Sequence, residues 1–514
     1  MATHAVTNQV PPLAGHDVSA DPALLTWVDE PDLRALGKLA GTAEWQDKGR
    51  LANANPPVLH THDRYGNRID EVEFHPAWHE LMDVAVTHGL HAAPWREGDH
   101  LLRAAKFYVW SQVEAGHGCP ISMTYASVPA LRQNPELASQ YEPLLASRSY
   151  DFGLRPPLTK SGLIAGMSMT EKQGGSDVRA NTTTAVPTQD GYLLTGHKWF
   201  TSAPMSDVFL TLAQAPGGLS CFLVPRVLPD GTLNKIFLQR LKDKLGNKSN
   251  ASAEIEYENA VGHLVGEEGR GVRTIIEMVN MTRLDCVLGS ASGMRLGVTQ
   301  AAHHAAHRKA FGAYLVDQPA MRNVLADLAV ESEAATTTAM WLASTKSRLG
   351  LAVTKYWVCK RAPAHAAEAL ECLGGNGYIE DSGMPRLFRE SPLSSIWEGS
   401  GNVAALDVLR AMTKEPEEVE RYLEFVTGVD HRVDAAVAAL KASLSDVDES
   451  QARRLVERMA LILQGALQVK HGHPAVADAF CASRLGGDWG VAFGTLPRGT
   501  DFAAILDRTV PKNQ

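Results

Sequence analysis

The chain has 514 residues, enough for about three to four average domains. Its 45% hydrophobic and 21% charged residues are typical of a globular protein and exclude a disordered chain. The 49 basic and 58 acidic residues give a net charge of −9. This charge argues against a general nucleic-acid-coating role, although it leaves room for a local basic patch.

The cysteines and the N-terminal sequence indicate a cytoplasmic protein. The 6 cysteines are scattered without a CxxC pair, which favours reduced thiols. The opening MATHAVTNQVPPLAG lacks the basic and apolar regions of a secretory signal. No apolar run reaches the roughly 18–20 residues that a membrane span needs.

The first half of the chain changes from helical to β patterning. Residues 1–40 contain Pro, Gly and short apolar pieces, and predict an extension that packs on something larger. Helical spacing dominates from about 76 to 150, as in AWHELMDVAVTHGL and LLRAAKFYVWSQVEA. From about 160 to 262, β-branched and aromatic runs such as GYLLTGHKWF and SCFLVPR alternate with Gly, Pro and Asn. This pattern predicts a β domain.

The second half is helical. Helical periodicity returns from 272 to about 412, and the acidic stretch KEPEEVE (414–420) is either a linker or a helix start. A last helical module includes RRLVERMALILQGALQVK. The order of the predicted structure is therefore α, β, α, α.

Three motifs could approach a phosphate-bearing or aromatic ligand. MSMTEKQGGSDV (167–178) could offer hydroxyls and backbone N–H groups, or it could be an ordinary polar loop. GHKWFTS (196–202) is either a cofactor wall or a strand with core and solvent faces. The glycines of ECLGGNGY (371–378) either allow close backbone approach to a phosphate or form a helix C-cap followed by a turn. The last motif is not GxGxxG after a strand, so a Rossmann interpretation fails.

One carboxylate stands out as a candidate base. SSIWEGSGN (394–402) places Glu398 before Gly-Ser-Gly, where it is either a reachable general base or a helix N-terminal acid. His303 and His307 lie at i, i+4, but neither an HExxH motif nor a third ligand accompanies them, so no metal site is predicted. Hydrolase chemistry lacks a GxSxG elbow.

The order of the motifs is more specific than any one of them. MTEKQGGSD, KWFTS, HRKAFGAYLVDQ, LGGNGY and IWEGSGN, at these separations, resemble the acyl-CoA dehydrogenase flavoprotein superfamily. The block from GTAEWQDKGR to EVEFHPAWHELM and the run RLKDKLGNKSNASAEIE are similar to its adaptive-response AidB branch. The resemblance implies a mainly α fold with a central β-barrel. The implied domains are an extension (1–40), an N-terminal helical domain (41–160), a middle β-barrel (161–270), a helical bundle (271–414) and an added C-terminal helical domain (415–514).

The resemblance also implies FAD held non-covalently without a Rossmann unit. Positions matching residues at the flavin ring and its flanks are Met167, Thr170, Ser176, Trp199, Phe200, Thr201 and Ser202. Positions running along the cofactor are Ile396, Trp397, Gly399, Ser400, Gly401, Asn402 and Leu406. Positions matching residues that reach the FAD adenylate or pyrophosphate across a subunit interface are Arg308, Phe311, Gln318, Gly374 and Gly375. A homotetramer is therefore expected.

The activity implied by the resemblance is α,β-dehydrogenation of an acyl-CoA thioester. A carboxylate removes the α-proton while the β-hydrogen leaves as hydride to flavin N5. Glu398 matches the base, whereas the alternative base position matches Thr282, which cannot serve. Arg283 matches a residue that helps to hold the thioester arm. Two departures affect the substrate path: Asn280 replaces a usual Asp, and Arg179-Ala180 replaces a small pair.

The AidB branch suggests an alternative function. Its members are linked to protection against DNA alkylation, with DNA contacts assigned to the C-terminal domain. The alternative is therefore a DNA-binding flavoprotein whose dehydrogenase activity is weak or secondary. From residue 450 onward the chain has eight basic and five acidic residues, which form either a DNA-binding patch or an ordinary solvated helical face. The candidate contacts to double-stranded DNA are Arg453, Arg454, Arg458, Lys470 and Arg484.

Overall fold

The computed structural model describes residues 4–444 and 448–510. The chain divides into two compact units. The bundle unit comprises Met1–Ala43, Tyr108–Val113 and Arg283–Gln514, and the sheet unit comprises Glu44–Phe107 and Glu114–Thr282. The helices are α1 (Pro22–Leu25), α2 (Pro31–Ala40), α3 (Ala43–Ala54), α4 (Pro76–Thr87), α5 (Pro94–Glu97), α6 (His100–Trp110), α7 (Gly118–Leu131), α8 (Pro135–Leu145), α9 (Gly271–His307), α10 (Pro319–Thr345), α11 (Arg348–Glu371), α12 (Met384–Glu390), α13 (Gly401–Lys414), α14 (Pro416–Val426), α15 (His431–Ser443), α16 (Ala452–His471), α17 (Pro474–Phe480) and α18 (Phe502–Asp507). The strands are β1 (Val58–His62), β2 (Arg68–Glu73), β3 (Ala165–Ser168), β4 (Thr184–Thr188), β5 (Gly191–Ser202), β6 (Val208–Ala215), β7 (Gly218–Pro225), β8 (Ile236–Leu241), β9 (Ser252–Val265), β10 (Lys309–Ala310) and β11 (Ala313–Tyr314).

The strands β3 to β9 form one sheet that returns on itself. Antiparallel pairings join β4 to β5, β5 to β9, β9 to β7 and β7 to β6, and a parallel bridge from β6 to β4 completes the ring. β3 lies between β5 and β6, and β8 pairs with β9. The predicted fold class, mainly α with a central β domain, is confirmed, and the sheet is a ring.

Apolar runs and paired charges fill the interior of the sheet unit. Nearly all of α7 is buried, and the Oγ1 of Thr124 on this helix accepts a hydrogen bond from the N–H of Ala165 in β3 (3.0 Å). Lys160 and Asp207 form a buried ion pair (2.5 Å). Burial raises the pKa of Asp207 to about 6, although the Lys160 ammonium opposes the shift. Charged groups are tolerated here because they are paired.

The hairpin of β1 and β2 was not anticipated within the predicted N-terminal helical domain. Its turn is organised by Asp63, whose Oδ1 accepts from the N–H groups of Tyr65 (2.8 Å) and Asn67 (2.9 Å). No residue of β1 is buried. A strand with both faces exposed to solvent lacks the alternation of apolar and polar residues by which strands are recognised. The sequence therefore did not predict this hairpin.

The N-terminal extension packs on the bundle, where the sequence predicted only that it packs on something larger. The N–H of Leu13 donates to Oε1 of Gln300 on α9 (2.9 Å). Further along, Asp21 accepts from the buried hydroxyl of Tyr108 (2.6 Å). These contacts join the extension to two separate parts of the bundle unit.

The C-terminal stretch shares one hydrophobic core with the bundle. Leu463 of α16, Leu328 of α10 and Val353 of α11 belong to the same buried cluster. The acidic stretch at 414–420 is a helix start, because α14 begins at Pro416 with two glutamates in its first turn. The predicted boundaries of 415–514 stay a prediction. No helix in the described residues is both long and apolar enough to cross a membrane.

Candidate active site and its surroundings

A β-bulge in β5 turns two aromatic residues outward. The register between β5 and β9 shifts between Lys198 and Thr201, which leaves Trp199 and Phe200 without partners in β9. The N–H of Trp199 donates instead to the carbonyl of Thr170 (2.7 Å). The Phe200 residue is 49% exposed. The KWFTS motif is therefore an outward-facing aromatic surface and not a regular strand.

A lysine completes this aromatic surface. The Nζ of Lys242 lies 3.5 Å from the ring centroid of Trp199 and 4.7 Å from that of Phe200. It also pairs with Glu254 (2.6 Å). Such a cation over aromatic faces is held by the ring quadrupole. None of the motifs with an expected flavin contact contains Lys242, so its place beside the aromatic rings was not predicted.

The structure brings most of the expected flavin-contacting residues of this unit to the β3–β5 pair. Ser168 and Thr201 are register partners, and their hydroxyl oxygens lie 2.6 Å apart. The Thr201 side chain is thus committed to its neighbour and buried. Ser176 lies in the exposed turn beyond β3. The residues on β3, β5 and the segment that follows β3 are Met167, Thr170, Trp199, Phe200, Thr201 and Ser202.

A buried carboxylate anchors the loop that carries Thr170 and Ser176. Glu171 accepts hydrogen bonds from Nζ of Lys198 (2.8 Å) and from the N–H groups of Thr182 (2.6 Å) and Thr183 (3.1 Å). Burial opposes ionisation of Glu171, but the Lys198 ammonium and the hydrogen bonds outweigh it and lower the pKa of Glu171. Burial lowers the pKa of Lys198 to about 8 against the attraction of Glu171. The loop that carries Thr170 and Ser176 is therefore fixed to the sheet through Glu171.

In the bundle unit, Glu398 lies at a sharp turn that two buried cations hold. Its φ is +56°, in the left-handed region that non-glycine residues rarely adopt. The Nε of Arg283 on α9 donates to the carbonyl of Glu398 (3.0 Å), and its Nη1 pairs with Asp407 (2.8 Å). The Nζ of Lys355 on α11 donates to the carbonyl of Gly399. The peptide units after Glu398 are thus tied to two helices.

Thr282, which matches the alternative base position, offers no base. Thr282 is buried, and its hydroxyl donates to the carbonyl of Val279 in its own helix (3.0 Å). Asn280, one turn before Arg283, is partly exposed. Threonine has no acidic or basic group in the neutral range, so Glu398 remains the candidate base.

The first turn of α13 is supported by α16. The Nε of Arg453 donates to Oδ1 of Asn402 (2.7 Å). Arg453 was expected to contact DNA and Asn402 to lie along the cofactor, so the structure brings together two residues that sequence analysis assigned to different functions. Around the same turn, Ile396 is 60% exposed. The residues expected along the cofactor form one continuous segment, Ile396, Trp397, Gly399, Ser400, Gly401, Asn402 and Leu406.

The residues expected to reach the FAD adenylate lie on exposed turns of the bundle unit. Phe311 is the first residue of the two-residue turn between β10 and β11, with φ +51° and full exposure. Arg308 donates to the carbonyl of Asn8. The Nε2 of Gln318 donates to the carbonyl of Ala310 (3.3 Å) and supports the hairpin.

The glycine-rich turn after α11 lies beside the same extension. Gly374 and Gly375 are exposed, and a side chain at either position would meet nothing within 4 Å. The Nδ2 of Asn376 donates to Oε1 of Gln9 (2.9 Å). Residues 8 and 9 therefore connect the hairpin of Phe311 with this turn.

The DNA-contact prediction needs a correction at Arg484. Its side chain is fully buried, and it pairs with Asp327 and with Glu331 (3.0 Å). A guanidinium neutralised in the core cannot reach a phosphate. Lys470 is exposed, but its Nζ donates to the carbonyl of Phe425 (2.5 Å). The candidates Arg454 and Arg458 lie on α16 and are exposed and partly exposed, respectively.

Comparisons with known proteins cover both units. Residues 8–152 match the N-terminal domain of the adaptive response protein AidB, 166–260 match the acyl-CoA dehydrogenase middle domain, and 269–413 match the acyl-CoA dehydrogenase C-terminal domain. These domains follow one another in the order of the sequence motifs.

Individual relatives give the same result. AidB of Escherichia coli (strain K12) is 46% identical over 513 residues, which cover 94% of both chains. Acyl-CoA dehydrogenase family member 11 of Caenorhabditis elegans is 31% identical over 84% of this chain and 78% of its own. The solved structure of Caenorhabditis elegans ACDH-11 in complex with C11-CoA has a TM-score of 0.82 at 27% identity, covering 99% of this chain and 93% of that one. This chain therefore belongs to the AidB branch of the acyl-CoA dehydrogenase family.

Proposed function

We propose that this protein is an FAD-dependent acyl-CoA dehydrogenase-type oxidoreductase in which Glu398 is the catalytic base. Members of the acyl-CoA dehydrogenase family are FAD-dependent oxidoreductases. The observation that carries the proposal is the turn at Glu398, where Arg283 and Lys355 hold the two successive backbone carbonyls. Strained backbone that buried cations over-determine is typical of catalytic positions.

The residues expected to hold FAD fit a large planar group with phosphates. Trp199 and Phe200 offer an outward-facing aromatic surface, with Lys242 beside it. Gly374 and Gly375 leave open space at the backbone, so a pyrophosphate could approach their N–H groups. When bound, FAD supplies the hydride acceptor for the reaction.

Glu398 is proposed to remove the α-proton of the thioester. This proton becomes acidic enough for a carboxylate when the thioester carbonyl is polarised, and its transfer also needs the base to be held within reach. Arg283 and Lys355 serve that second requirement as positioning residues, since both restrain the backbone at Glu398. A direct contact of Arg283 with the thioester arm stays a prediction.

The substrate class is an acyl-CoA thioester. The C11-CoA complex of ACDH-11 supports this class, because that protein shares the fold over 99% of this chain. Asn280 and Arg179 are the positions at which this chain departs from the residues that the resemblance implies along the CoA path, and we expect them to affect which acyl-CoA is preferred.

The test is anaerobic addition of short-, medium- and long-chain acyl-CoAs to the flavin-loaded protein, followed by flavin absorbance. We expect bleaching with at least one chain length, and a loss in rate of about a hundredfold or more in Glu398→Gln. The matched control is Glu457→Gln, because Glu457 is an exposed carboxylate on α16. No bleaching with any chain length, or bleaching by Glu398→Gln at the wild-type rate, contradicts the proposal.

A homotetramer in the cytoplasm belongs to the same proposal. Apolar side chains stand exposed on the bundle unit at Phe311 (100%), Tyr378 (82%) and Ile379 (52%), near residues expected to reach a neighbour's cofactor. An assembly that covers these side chains removes apolar area from water. Light scattering of Phe311→Asp should give a smaller species together with lower FAD content, whereas Val491→Asp, equally exposed, should change neither.

DNA binding is the second candidate and now depends on fewer residues. Arg453 and Arg454 are exposed on α16, with Arg458 one turn further. Removing the whole stretch after 415 would disrupt the shared core, so substitutions are the better test. In Arg454→Gln/Arg458→Gln the salt dependence of duplex binding should become shallower, by about one phosphate contact per residue. Duplex binding that is undetectable at low salt, or unchanged in this variant, contradicts the candidate.

A further inference from the structure

Three arginines line one cavity of the sheet unit. Arg179, Arg270 and Arg273 surround a cleft of about 550 Å³. Within the described residues, none of the three guanidiniums makes an ion pair or a hydrogen bond to another protein group. We call this set the arginine cleft. Its apolar walls are Leu219, Val272 and Ile276.

The backbone that carries these arginines is fixed. Gly269 has φ +74°, and a Cβ there would lie 2.3 Å from the carbonyl oxygen of Gly217, so the turn before α9 packs directly on the sheet. The N–H of Gly269 donates to Oγ of Ser220 (2.9 Å). On the other side, Nε2 of Gln214 donates to the carbonyl of Arg179 (3.3 Å). Two different segments are thus held so that their cations share one cavity.

Three like charges in one cavity repel one another unless an anion lies between them. Two exposed arginines of the same unit are paired by contrast, Arg132 with Glu142 (2.7 Å) and Arg148 with Glu97 (2.6 Å). The carboxylate of Glu268, close in sequence, is engaged elsewhere, since it accepts from the Tyr192 hydroxyl (2.5 Å) and the N–H of Gly217 (2.9 Å). The cleft therefore holds an excess of positive charge that suits a multiply charged anion.

Guanidinium groups are the preferred partners of phosphate, because their planar donors match its oxygens in pairs. The apolar walls give a flat or aliphatic group a place beside the phosphates, and a volume of about 550 Å³ is in the usual range for small-ligand sites. A free inorganic anion would use the arginines and leave the apolar walls exposed to water.

We propose that the arginine cleft binds the phosphates of a nucleotide-bearing small ligand. Its identity as the nucleotide end of the acyl-CoA substrate rests on the proposed function. Arg179 is then a specificity residue of this chain, because it brings a guanidinium to the cleft from a segment other than α9 and the turn before it.

The experiment measures binding of adenosine 3′,5′-bisphosphate and of coenzyme A by calorimetry to the flavin-loaded protein. The variants are Arg179→Ala, Arg273→Gln and the double variant, with Arg179→Lys as the charge-conserving variant. We expect Kd to rise about tenfold for each arginine removed and by less for Arg179→Lys. The control is Arg96→Gln, since Arg96 is exposed, lies in the same unit and does not line the cleft.

An unchanged Kd in the double variant, or no binding of either probe to the wild type, overturns the proposal. A short DNA duplex that displaces the bisphosphate, and loses this ability in the same variants, overturns the small-ligand assignment. The proposed function fails separately. If no acyl-CoA bleaches the flavin but bisphosphate binding depends on the arginines, the phosphate site stands and the dehydrogenase proposal falls. If acyl-CoA bleaches the flavin and the acyl-CoA concentration for half-maximal bleaching is the same in the double variant and the wild type, the dehydrogenase proposal stands and the arginine cleft does not bind the substrate.

Discussion

Arginine has opposite roles in two regions of this protein, the network around Arg484 in the bundle unit and the arginine cleft of the sheet unit. In the bundle unit, the Arg484 side chain is fully buried between Asp327 and Glu331, and Glu331 also pairs with Arg361 (3.0 Å). In the sheet unit, the three arginines of the cleft have no carboxylate partner within the described residues. A neutralised cation contributes to the structure and is unavailable to ligands, whereas an unpaired one attracts an anion. Counting charges along a sequence does not separate these roles.

The pairing in the bundle unit also fixes the ionisation of its carboxylates. Burial opposes the charge on Glu331, but Arg361 and Arg484 outweigh it and lower the pKa of Glu331 to about 2. The second Asp327 oxygen accepts from the N–H of Gly494 (2.9 Å). The network therefore connects α10 with α11 and with the segments around Arg484 and Gly494.

The largest expected effect is the loss of Arg484. Arg484→Met leaves Asp327 and Glu331 with a buried negative charge that is incompletely compensated, and we expect the free energy of unfolding to fall by about 3–5 kcal/mol. Denaturant unfolding at neutral pH measures this change. The matched control is Arg454→Gln on α16, an exposed arginine whose loss should cost no more than about 0.5 kcal/mol. Equal effects of the two substitutions would remove the distinction between paired and unpaired arginines.

Arg484 also illustrates what the sequence could and could not predict. The order of α and β segments, the β region and the helix start at Pro416 could be derived from periodicity and turn residues. The partners of Arg484 lie 157 and 153 residues earlier in the chain, so no local pattern reveals that it is buried. On local evidence it resembles any basic residue of a solvated helix.

The candidate site also contains residues that a local motif reveals and residues that only the folded chain brings there. Glu398 and the residues around it could be found because IWEGSGN is a local motif in a recognisable order. Lys355 could not, since it reaches Gly399 from the middle of a separate helix, 44 residues earlier in the chain. The bulge at Trp199 also escaped prediction, because a register shift depends on the partner strand as well as on the strand itself.

A buried histidine beside the Arg484 network, His365, should make folding stability depend on pH. Burial lowers the pKa of His365 to about 4, with Arg361 contributing in the same direction. The unfolded chain takes up this proton near pH 6.5, so the stability from a neutral His365 is complete above that pH and is lost as pH falls toward 4. The loss reaches about 2 kcal/mol at pH 5, by about 1.36 kcal/mol per pKa unit.

Unfolding curves at pH 7 and pH 5 test this expectation. His365→Gln should have a shallower pH dependence than the wild type, whatever its effect at pH 7. His91 offers a matched site in the sheet unit, because burial also lowers the pKa of His91 to about 4. His91→Gln should flatten the profile by a similar amount. An unaltered profile in both variants would show that the acid sensitivity originates elsewhere.

The smallest expected effect is the change in the free energy of unfolding when arginines of the cleft are substituted in the protein without ligand. Arg179→Ala and Arg273→Gln remove exposed side chains that pair with no group among residues 4–444 and 448–510, so the free energy of unfolding should change by no more than about 0.5 kcal/mol. At low salt the sign should be stabilising, since each substitution removes a repelling charge. With adenosine 3′,5′-bisphosphate at about a hundred times its Kd, the wild type should gain about 2.7 kcal/mol by mass action. At the same concentration the double variant, whose Kd should be about a hundredfold higher, should gain only about 0.4 kcal/mol. A stability loss in the unliganded variants comparable to that of Arg484→Met would mean that the cleft arginines are structural, and the contrast between the cleft and the Arg484 network would disappear.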